Sequence, residues 1–231
     1  MTTRDRLAAL NPVFALEVRT PRLTLRFPTD DDLVDLAELA ALGVHAPDEM
    51  PFDQPWTQVP SPYLERNTLQ WFWQQRATVQ GDAPFITMVT VVDDVVVGTQ
   101  GLFSASWKGS QTFETGSWLG LEFQGKGIGK EMRIAALQLG FDGLGARRMI
   151  TEAYADNPSS VGVTESLGYR PNGDVFVSRG GEPTRSVRYA MDPDDFARLR
   201  RDDIELVGAE AVAAMLGTEH VPGQLPPQPG S

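Results

Sequence analysis

The stretch TFETGSWLGLEFQGKGIGKEM, residues 112–132, decides how this chain folds. Its first part predicts a strand, and its end predicts the start of a helix. Between the two lies a short turn that contains three glycines and two lysines. Glycines allow successive backbone N–H groups to converge on one anion, and the N-terminus of a helix adds partial positive charge. The stretch therefore predicts a phosphate-binding turn between a strand and a helix.

Two well-known nucleotide-binding motifs do not match this turn. A G-x-x-x-x-G-K-[ST] loop that ended at Gly129 and Lys130 would need glycine and serine or threonine where the chain has Gln124 and Glu131. A G-x-G-x-x-G fingerprint would need its third glycine at Lys130. The pattern that fits is Q-x-x-G-x-G, formed by Gln124, Gly127 and Gly129.

The segments on either side of the turn carry two further motifs. Residues 114–119 spell E-x-G-x-W-L, and residues 152–169, EAYADNPSSVGVTESLGY, contain N-x-x-S followed by L-G-Y. With the turn between them, these motifs resemble the GNAT acyltransferase superfamily, and within it the branch that acetylates the N-termini of ribosomal proteins. The specific motifs cover residues 112–173, and the order of elements over residues 16–191 agrees with the family.

The patterns along the chain and this resemblance predict an α/β (α+β) GNAT fold. We expect a mixed, mostly antiparallel sheet of six to seven strands, flanked by helices and splayed between the fourth and fifth strands. Local patterns predict a helix capped at Thr29, a long loop over residues 43–62, and a hairpin at Asp93 and Asp94. The acyltransferase domain is predicted over residues 1–191, followed by a helical extension at 192–216 and a disordered tail at 217–231.

The resemblance implies that the turn holds the diphosphate of acetyl-coenzyme A, or of another acyl-CoA, as co-substrate. Lysine side chains in the turn would add positive charge, although each of them could equally be solvated. The residues implied in binding the co-substrate are Trp118, Leu119, Gln124, Gly125, Lys126, Gly127, Ile128, Gly129, Lys130, Asn157 and Ser160. No metal is expected.

Acyl transfer of this kind proceeds, by resemblance, through direct attack of an amine on the thioester. Glu114 is the candidate general base, with a solvated strand carboxylate as the alternative. Backbone N–H groups near Trp118 and Leu119 are candidates for the oxyanion site, exposed by a bulge that the neighbouring glycines suggest. Ser160 is the candidate donor to the leaving thiolate, or it only completes a helical turn. Thr164 replaces the tyrosine of many family members, which argues against a dedicated general acid.

The acceptor site is predicted in the loop and in the second helix. Acidic residues there would attract an amine, although loop carboxylates are usually just solvated, and a tryptophan on the second helix is a candidate wall. The candidates are Asp48, Glu49, Phe52 and Trp73. Three functions stay open: an N-acetyltransferase for a protein N-terminus or a small amine, a transferase for a larger acyl group such as succinyl, and a catalytically weak CoA-binding regulatory module.

The composition of the chain narrows the classes of function and of partner that remain possible. The chain of 231 residues has no cysteine, which excludes thiolate metal sites and cysteine nucleophiles, and only two histidines, which disfavours a histidine metal site. A formal charge of −11 disfavours nucleic acid and anionic membranes as partners. No apolar leader or membrane span stands out, so we expect a cytoplasmic protein. The resemblance also implies a homodimer as an expectation, since members of this family often dimerise.

Overall fold

A computed structural model of the protein describes residues 1–217. Its centre is one nine-stranded sheet, in the order β7-β8-β6-β5-β4-β3-β2-β1-β9, in which every neighbouring pair is antiparallel except β5 and β6. The predicted mixed, mostly antiparallel sheet is therefore confirmed, with more strands than expected. The strands are β1 Glu17–Arg19, β2 Thr24–Arg26, β3 Phe85–Val92, β4 Val95–Phe103, β5 Thr112–Leu119, β6 Arg148–Tyr154, β7 Arg170–Arg179, β8 Glu182–Met191 and β9 Glu205–Val207.

Helices cover both faces of the sheet. The α-helices of residues 1–217 are α1 Thr3–Leu10, α2 Asp30–Leu42, α3 Tyr63–Arg76, α4 Trp107–Ser110, α5 Ile128–Gln138, α6 Pro158–Ser166, α7 Pro193–Phe196 and α8 Ala209–Gly217. Neighbouring residues of β3 pack in opposite directions: Val89 joins a cluster with α2 and α3, whereas Met88 joins the cluster that contains α5. In the described part of the chain, no helix has the length and apolar character needed to cross a membrane.

The capping box predicted at the start of α2 is confirmed. The Thr29 side chain accepts a hydrogen bond from the Asp32 N–H at 3.3 Å, and the Asp32 carboxylate accepts one from the Thr29 N–H at 2.8 Å. The hairpin predicted at Asp93 and Asp94 is also present between β3 and β4, with both residues in the left-handed region. These local patterns fix where α2 begins, where β3 ends and where β4 begins.

The sheet splits between β5 and β6, which are the fourth and fifth strands of the sequence-based count. The two strands pair in parallel only over residues 112–114 and 148–150, and then they separate. At the point of separation the Thr151 hydroxyl donates to the carbonyl of Thr115 at 3.1 Å. A side chain thus satisfies a backbone acceptor that would otherwise lose its partner strand. The predicted splay is confirmed.

The C-terminal segment differs from the predicted helical extension, and that prediction is wrong in part. Residues 192–216 form the short helix α7, the strand β9 and most of the helix α8 instead of a continuous helix. Strand β9 pairs with β1 at the far edge of the sheet, and Val212 and Leu216 of α8 are buried in the main core. Gly208 ends β9 with φ +73°, and a Cβ there would lie 2.7 Å from the carbonyl oxygen of Ala15. Except for Gly217, the predicted disordered tail lies outside the described residues.

Candidate active site

A cleft of about 600 Å³ opens where β5 and β6 separate. It runs from the glycine turn at the N-terminus of α5, past α6, to the loop of residues 43–62. The sequence-predicted site residues that line it are Glu49, Phe52, Glu114, Trp118, Leu119, Gln124, Gly125, Gly127, Gly129, Lys130, Asn157 and Ser160. Four predicted residues do not line it: Asp48, Trp73, Lys126 and Ile128.

The glycine turn has a backbone that only glycine adopts without strain. Gly125 and Gly127 have φ values of +71° and +79°, and Gly127 is the N-cap of α5. The first N–H groups of any α-helix lack partners within the helix, so those of α5 remain available to a ligand. A Cβ on Gly125 would meet nothing within 4 Å, and one on Gly129 would meet only a Leu119 methyl group at 3.7 Å. The open space above this backbone fits a diphosphate.

Side chains on both sides hold the turn in place. The Gln124 amide donates to the carbonyls of Val44 at 2.8 Å and Leu119 at 2.9 Å. The glutamine of Q-x-x-G-x-G therefore ties the turn to the end of β5 and to the loop. On the other side, Arg22 donates to the carbonyl of Lys126 at 3.0 Å and forms an ion pair with Glu131 at 3.3 Å. Sequence reasoning missed Arg22, which lies about a hundred residues upstream in the chain.

The other implied residues of the turn take different positions. Ile128 is 5% exposed and packs in the main core, so its contribution to the cleft is limited to its backbone. The Lys126 ammonium lies 5.6 Å from the centre of the Phe123 ring, away from the cleft lining. Lys130 lines the cleft and can supply positive charge beside the turn.

The bulge predicted in β5 is wrong. Residues 114–119 pair with β4 in unbroken register, and the backbone on the other side is freed by the departure of β6. The Thr115 carbonyl accepts from β6, whereas a Cβ on Gly98 of β4 would lie 2.2 Å from the Trp118 carbonyl oxygen. Because backbone groups alternate sides along a strand, Ser117 and Leu119 direct their N–H groups into the split, and Trp118 directs its N–H at β4.

Trp118 contributes its ring to the wall of the cleft. The ring lies 5.8 Å from that of Trp56 and packs against the cores formed by α2 and α3. The cleft thus has a rigid aromatic wall next to the open side of β5.

Glu114 lies at the vertex of the split, as the last residue of β5 that pairs with β6. It is half-buried, and its pKa is raised from 4.5 to about 7. Burial is the largest cause, the nearby carboxylates of Glu152 and Asp53 act in the same direction, and the Arg188 guanidinium opposes them. A carboxyl group with this pKa exchanges a proton near neutral pH, as a general base requires.

Helix α6 brings Asn157 and Ser160 to the cleft. The Asn157 carboxamide oxygen accepts a hydrogen bond from the Ser160 N–H at 3.1 Å, which confirms Asn157 as the N-cap. Thr164 is 1% exposed, and its hydroxyl donates to the Ser160 carbonyl at 2.9 Å. Thr164 therefore cannot take the place of a tyrosine acid, and the serines of α6 that line the cleft are Ser159 and the predicted donor Ser160.

The side of the cleft away from the glycine turn is formed by the loop of residues 43–62 and by β6. Glu49, Phe52 and Asp53 of the loop face Glu152 and Tyr154 of the strand. The Tyr154 hydroxyl donates to Asp53, and burial, together with this bond, raises the pKa of the tyrosine above its usual range. Sequence reasoning placed neither Tyr154 nor Glu152 in the site, because they contact the loop only in the folded chain.

Two predicted acceptor residues have no support in this geometry. Trp73 is 48% exposed and donates to Asp30 at 3.2 Å, outside the cleft. Asp48 is an exposed loop residue that does not line the cleft. In residues 1–217, no group of three or more histidine or acidic side chains is arranged to hold a metal ion.

The sequence pattern of the acetyltransferase (GNAT) domain family matches residues 22–170. The chain therefore belongs to this acetyltransferase family, and it is an enzyme of the N-acetyltransferase class.

Solved structures share the fold at low identity. RimL, a ribosomal L7/L12 α-N-protein acetyltransferase in complex with coenzyme A, is 17% identical with a TM-score of 0.61, over 76% of this chain and 97% of that one. The ribosomal-protein-S5-alanine acetyltransferase from Vibrio fischeri is 18% identical with a TM-score of 0.57, over 78% and 98%. MccE, a microcin C7 self-immunity acetyltransferase in complex with acetyl-CoA and AMP, is 16% identical with a TM-score of 0.60, over 74% and 93%.

Proposed function

We propose that the protein transfers an acyl group, with acetyl as the simplest donor, from a CoA thioester to a primary amine held in the same cleft. The observation that carries this proposal is the position and pKa of Glu114. A half-buried carboxylate with a pKa of about 7 stands at the vertex of the split, and a phosphate-type glycine turn lies at the other end of the same cleft.

The donor would be held mainly by backbone groups. N–H groups of the glycine turn and of the first turn of α5 suit a diphosphate, and the charge of Lys130 adds to them. The free N–H groups of Ser117 and Leu119 along the open side of β5 suit the thioester end. CoA would supply the acyl group as a thioester, whose carbon the amine attacks while the thiolate leaves.

The acceptor would be a cationic amine before it reacts. Glu49, Asp53, Glu114 and Glu152 place four carboxylates around the acceptor side, which favours binding of an ammonium group. Glu114 then takes the proton that the amine must lose, and the N–H groups of Ser117 and Leu119 stabilise the oxyanion. Ser160 donates a hydrogen bond to the departing sulfur.

The acceptor can be a protein N-terminus or a small-molecule amine, and the cleft chemistry suits both. The cytoplasmic location and the homodimer stay predictions that rest on the sequence and on the family. A regulatory module that only binds CoA would need the glycine turn, but it would have no use for a carboxyl group with a pKa of about 7 at the split.

Mass spectrometry of the purified protein with acetyl-CoA, pooled amines and N-terminal peptides tests the proposal. We expect an acceptor whose mass rises by one acetyl group, at a rate proportional to enzyme concentration. Binding of CoA without any acylated product, or thioester hydrolysis alone, would support the regulatory module instead.

A further inference from the structure

Arg133 of α5 lies beneath the split in the sheet. Its guanidinium donates to the hydroxyl of Ser117 on β5 and to that of Thr151 on β6, both at 3.1 Å. It therefore bridges the two strands after their backbones have separated. Arg133 also lines the cleft, next to the residues of β5 whose N–H groups face the split.

The charge of Arg133 has no counter-ion. Arg133 is only 6% exposed, and no carboxylate in residues 1–217 lies within 4.0 Å of its guanidinium group. Its Nε is buried and has no hydrogen-bond partner. A buried unpaired charge is among the most unfavourable features that a fold can contain. Arginine cannot avoid this cost by losing its proton, as a lysine can.

Other arginines near the cleft are paired. Arg188 pairs with Glu152, Arg179 with Asp156, and Arg22 with Glu131. The chain has 31 acidic residues and 20 basic ones, so carboxylates are not scarce. Glu114 does not neutralise Arg133 either, because the charges that act on Glu114 are those of Glu152, Arg188 and Asp53. The missing anion is therefore expected to come from a ligand.

The position of Arg133 indicates which part of the ligand carries this anion. The diphosphate of a CoA thioester suits the glycine turn at the start of α5. Arg133 lies five residues beyond Ile128, the first residue of this helix, which corresponds to a rise of roughly 7 Å along the helix axis. Its partner Ser117 belongs to the part of β5 assigned above to the thioester. The pantetheine arm of CoA is neutral, so the anion would have to be part of the acyl group itself.

We propose that Arg133 binds the terminal carboxylate of a dicarboxylic acyl group, and that the enzyme prefers such a donor, of which succinyl is the probe, to acetyl. This inference rests on the proposed acyl transfer. The amine nitrogen forms an amide bond with the thioester carbon, the C–S bond breaks, and CoA leaves as its thiol. The ammonium form of the amine loses one proton through Glu114 to solvent, the second proton that the nitrogen loses goes to the departing sulfur, and the terminal carboxylate stays intact in the product.

Titration calorimetry with three donors separates charge from size. Succinyl-CoA carries the carboxylate, butyryl-CoA has the same number of acyl carbons without the charge, and acetyl-CoA is the small reference. We expect the wild type to bind succinyl-CoA at least about 30-fold more tightly than butyryl-CoA, since removing one partner of a buried charge pair typically changes affinity by that factor or more. The same order is expected for kcat/KM.

Arg133→Met preserves most of the side-chain length and removes the charge. We expect the affinity ratio of succinyl-CoA to butyryl-CoA to fall to about one in this variant. We also expect its Tm without ligand to equal or exceed that of the wild type, because an unpaired buried cation has been removed. Arg133→Gln is the second variant if the first does not fold. Arg200→Met, which removes one charge from a surface pair with Asp142, is the matched control and should keep the wild-type ratio.

A wild type that binds succinyl-CoA and butyryl-CoA alike would overturn the inference. A uniform loss for all three donors in Arg133→Met would also overturn it, since that result indicates a structural or oxyanion role. In both cases acetyl transfer to amines would continue, and the proposed function would stand. If none of the three thioesters bound or reacted, the proposed function itself would fail and this inference with it.

Discussion

The two halves of the cleft present different chemical groups, backbone groups in one half and side chains in the other. The half that we propose for the donor consists mostly of backbone groups from one short segment, residues 124–130, held by Gln124 and Arg22. The half that we propose for the acceptor consists of side chains from the loop of residues 43–62, from β5 and from β6. Backbone recognition of a constant group needs only a local conformation, whereas the acceptor half depends on residues far apart in the chain. The donor half is therefore the one that a sequence can encode as a motif.

The largest effect is expected for Glu114→Gln in the acceptor half. Loss of the proposed base should lower kcat/KM by between about 10²- and 10⁴-fold, with affinity for CoA retained. In the wild type, the rate should rise with pH through a midpoint near 7, as Glu114 loses its proton, and the variant should lack this rise. Initial-rate assays over pH 5–9 with saturating acyl-CoA measure both the loss of kcat/KM and the midpoint of the pH–rate profile.

The same variant gives an independent check on the charge of Glu114. Because its folded pKa of about 7 exceeds the ordinary value of 4.5, the folded state loses stability as pH rises through that interval. Glu114→Gln should therefore have a higher Tm than the wild type at pH 8, with the difference vanishing near pH 4.5. An equal Tm at both pH values would mean that the carboxyl group is not perturbed.

The next effect tests the donor half. Gly127→Ala imposes a side chain on a φ of +79° and should displace the N–H groups of the turn, lowering the affinity for CoA by about 10²-fold. Gly145→Ala is the matched control, with a φ of +74°, nothing within 4 Å of the added Cβ, and no place in the cleft lining. Both variants should lose similar stability, roughly 1–2 kcal/mol, but only the first should lose CoA binding. Equal CoA affinities in calorimetry would contradict the assignment of the turn.

A smaller effect is expected where the acceptor loop is fastened to β6. Tyr154→Phe removes the hydroxyl that binds Asp53 and should raise the KM for the acceptor by about 10-fold, with the KM for the acyl-CoA little changed. Tyr189→Phe, whose hydroxyl bonds to Glu165 outside the cleft, is the control. An unchanged acceptor KM in initial-rate assays would show that the loop does not need this bond.

The smallest effect is expected when the charge around Glu114 is changed. Glu152→Gln removes a carboxylate that raises the pKa of Glu114 and leaves Arg188 to lower it. The midpoint of the pH–rate profile should move to lower pH, by less than about one unit. Asp48→Asn, an exposed carboxylate off the cleft, should leave the midpoint in place. A shift to higher pH would mean that Glu114 is not the group being titrated.

Sequence patterns sufficed where the structure is determined locally. The capping box at Thr29, the hairpin at Asp93 and Asp94 and the glycine backbone conformation at Gly127 each depend on residues within a few positions of one another. Strand β9 could not be predicted in this way. It has three residues, too few for a periodic pattern, and its stabilising partner is β1, about 190 positions earlier in the chain.

The candidate site divides in the same way. The lining position of the turn glycines and the cap at Asn157 follow from motifs, and the position of Glu114 follows from E-x-G-x-W-L, whereas Lys126 and Ile128 of the turn do not line the cleft. The bulge was wrong because glycines in a strand suggest irregular pairing, whereas here the departure of β6 frees the backbone. Trp73 has the type and spacing of a cleft residue, but α3 turns it towards Asp30.

The two edge strands of the sheet differ in length, and this difference has a consequence for self-association. At one rim, β9 offers only three residues to an incoming strand; at the other, β7 offers ten, mostly exposed. The longer rim carries a break in register near Pro171 and charged side chains at Arg170, Asp174 and Arg179. Such features deter uncontrolled strand addition. Two copies that joined edge to edge through β7 into one larger sheet would have to accommodate its kink and its charges.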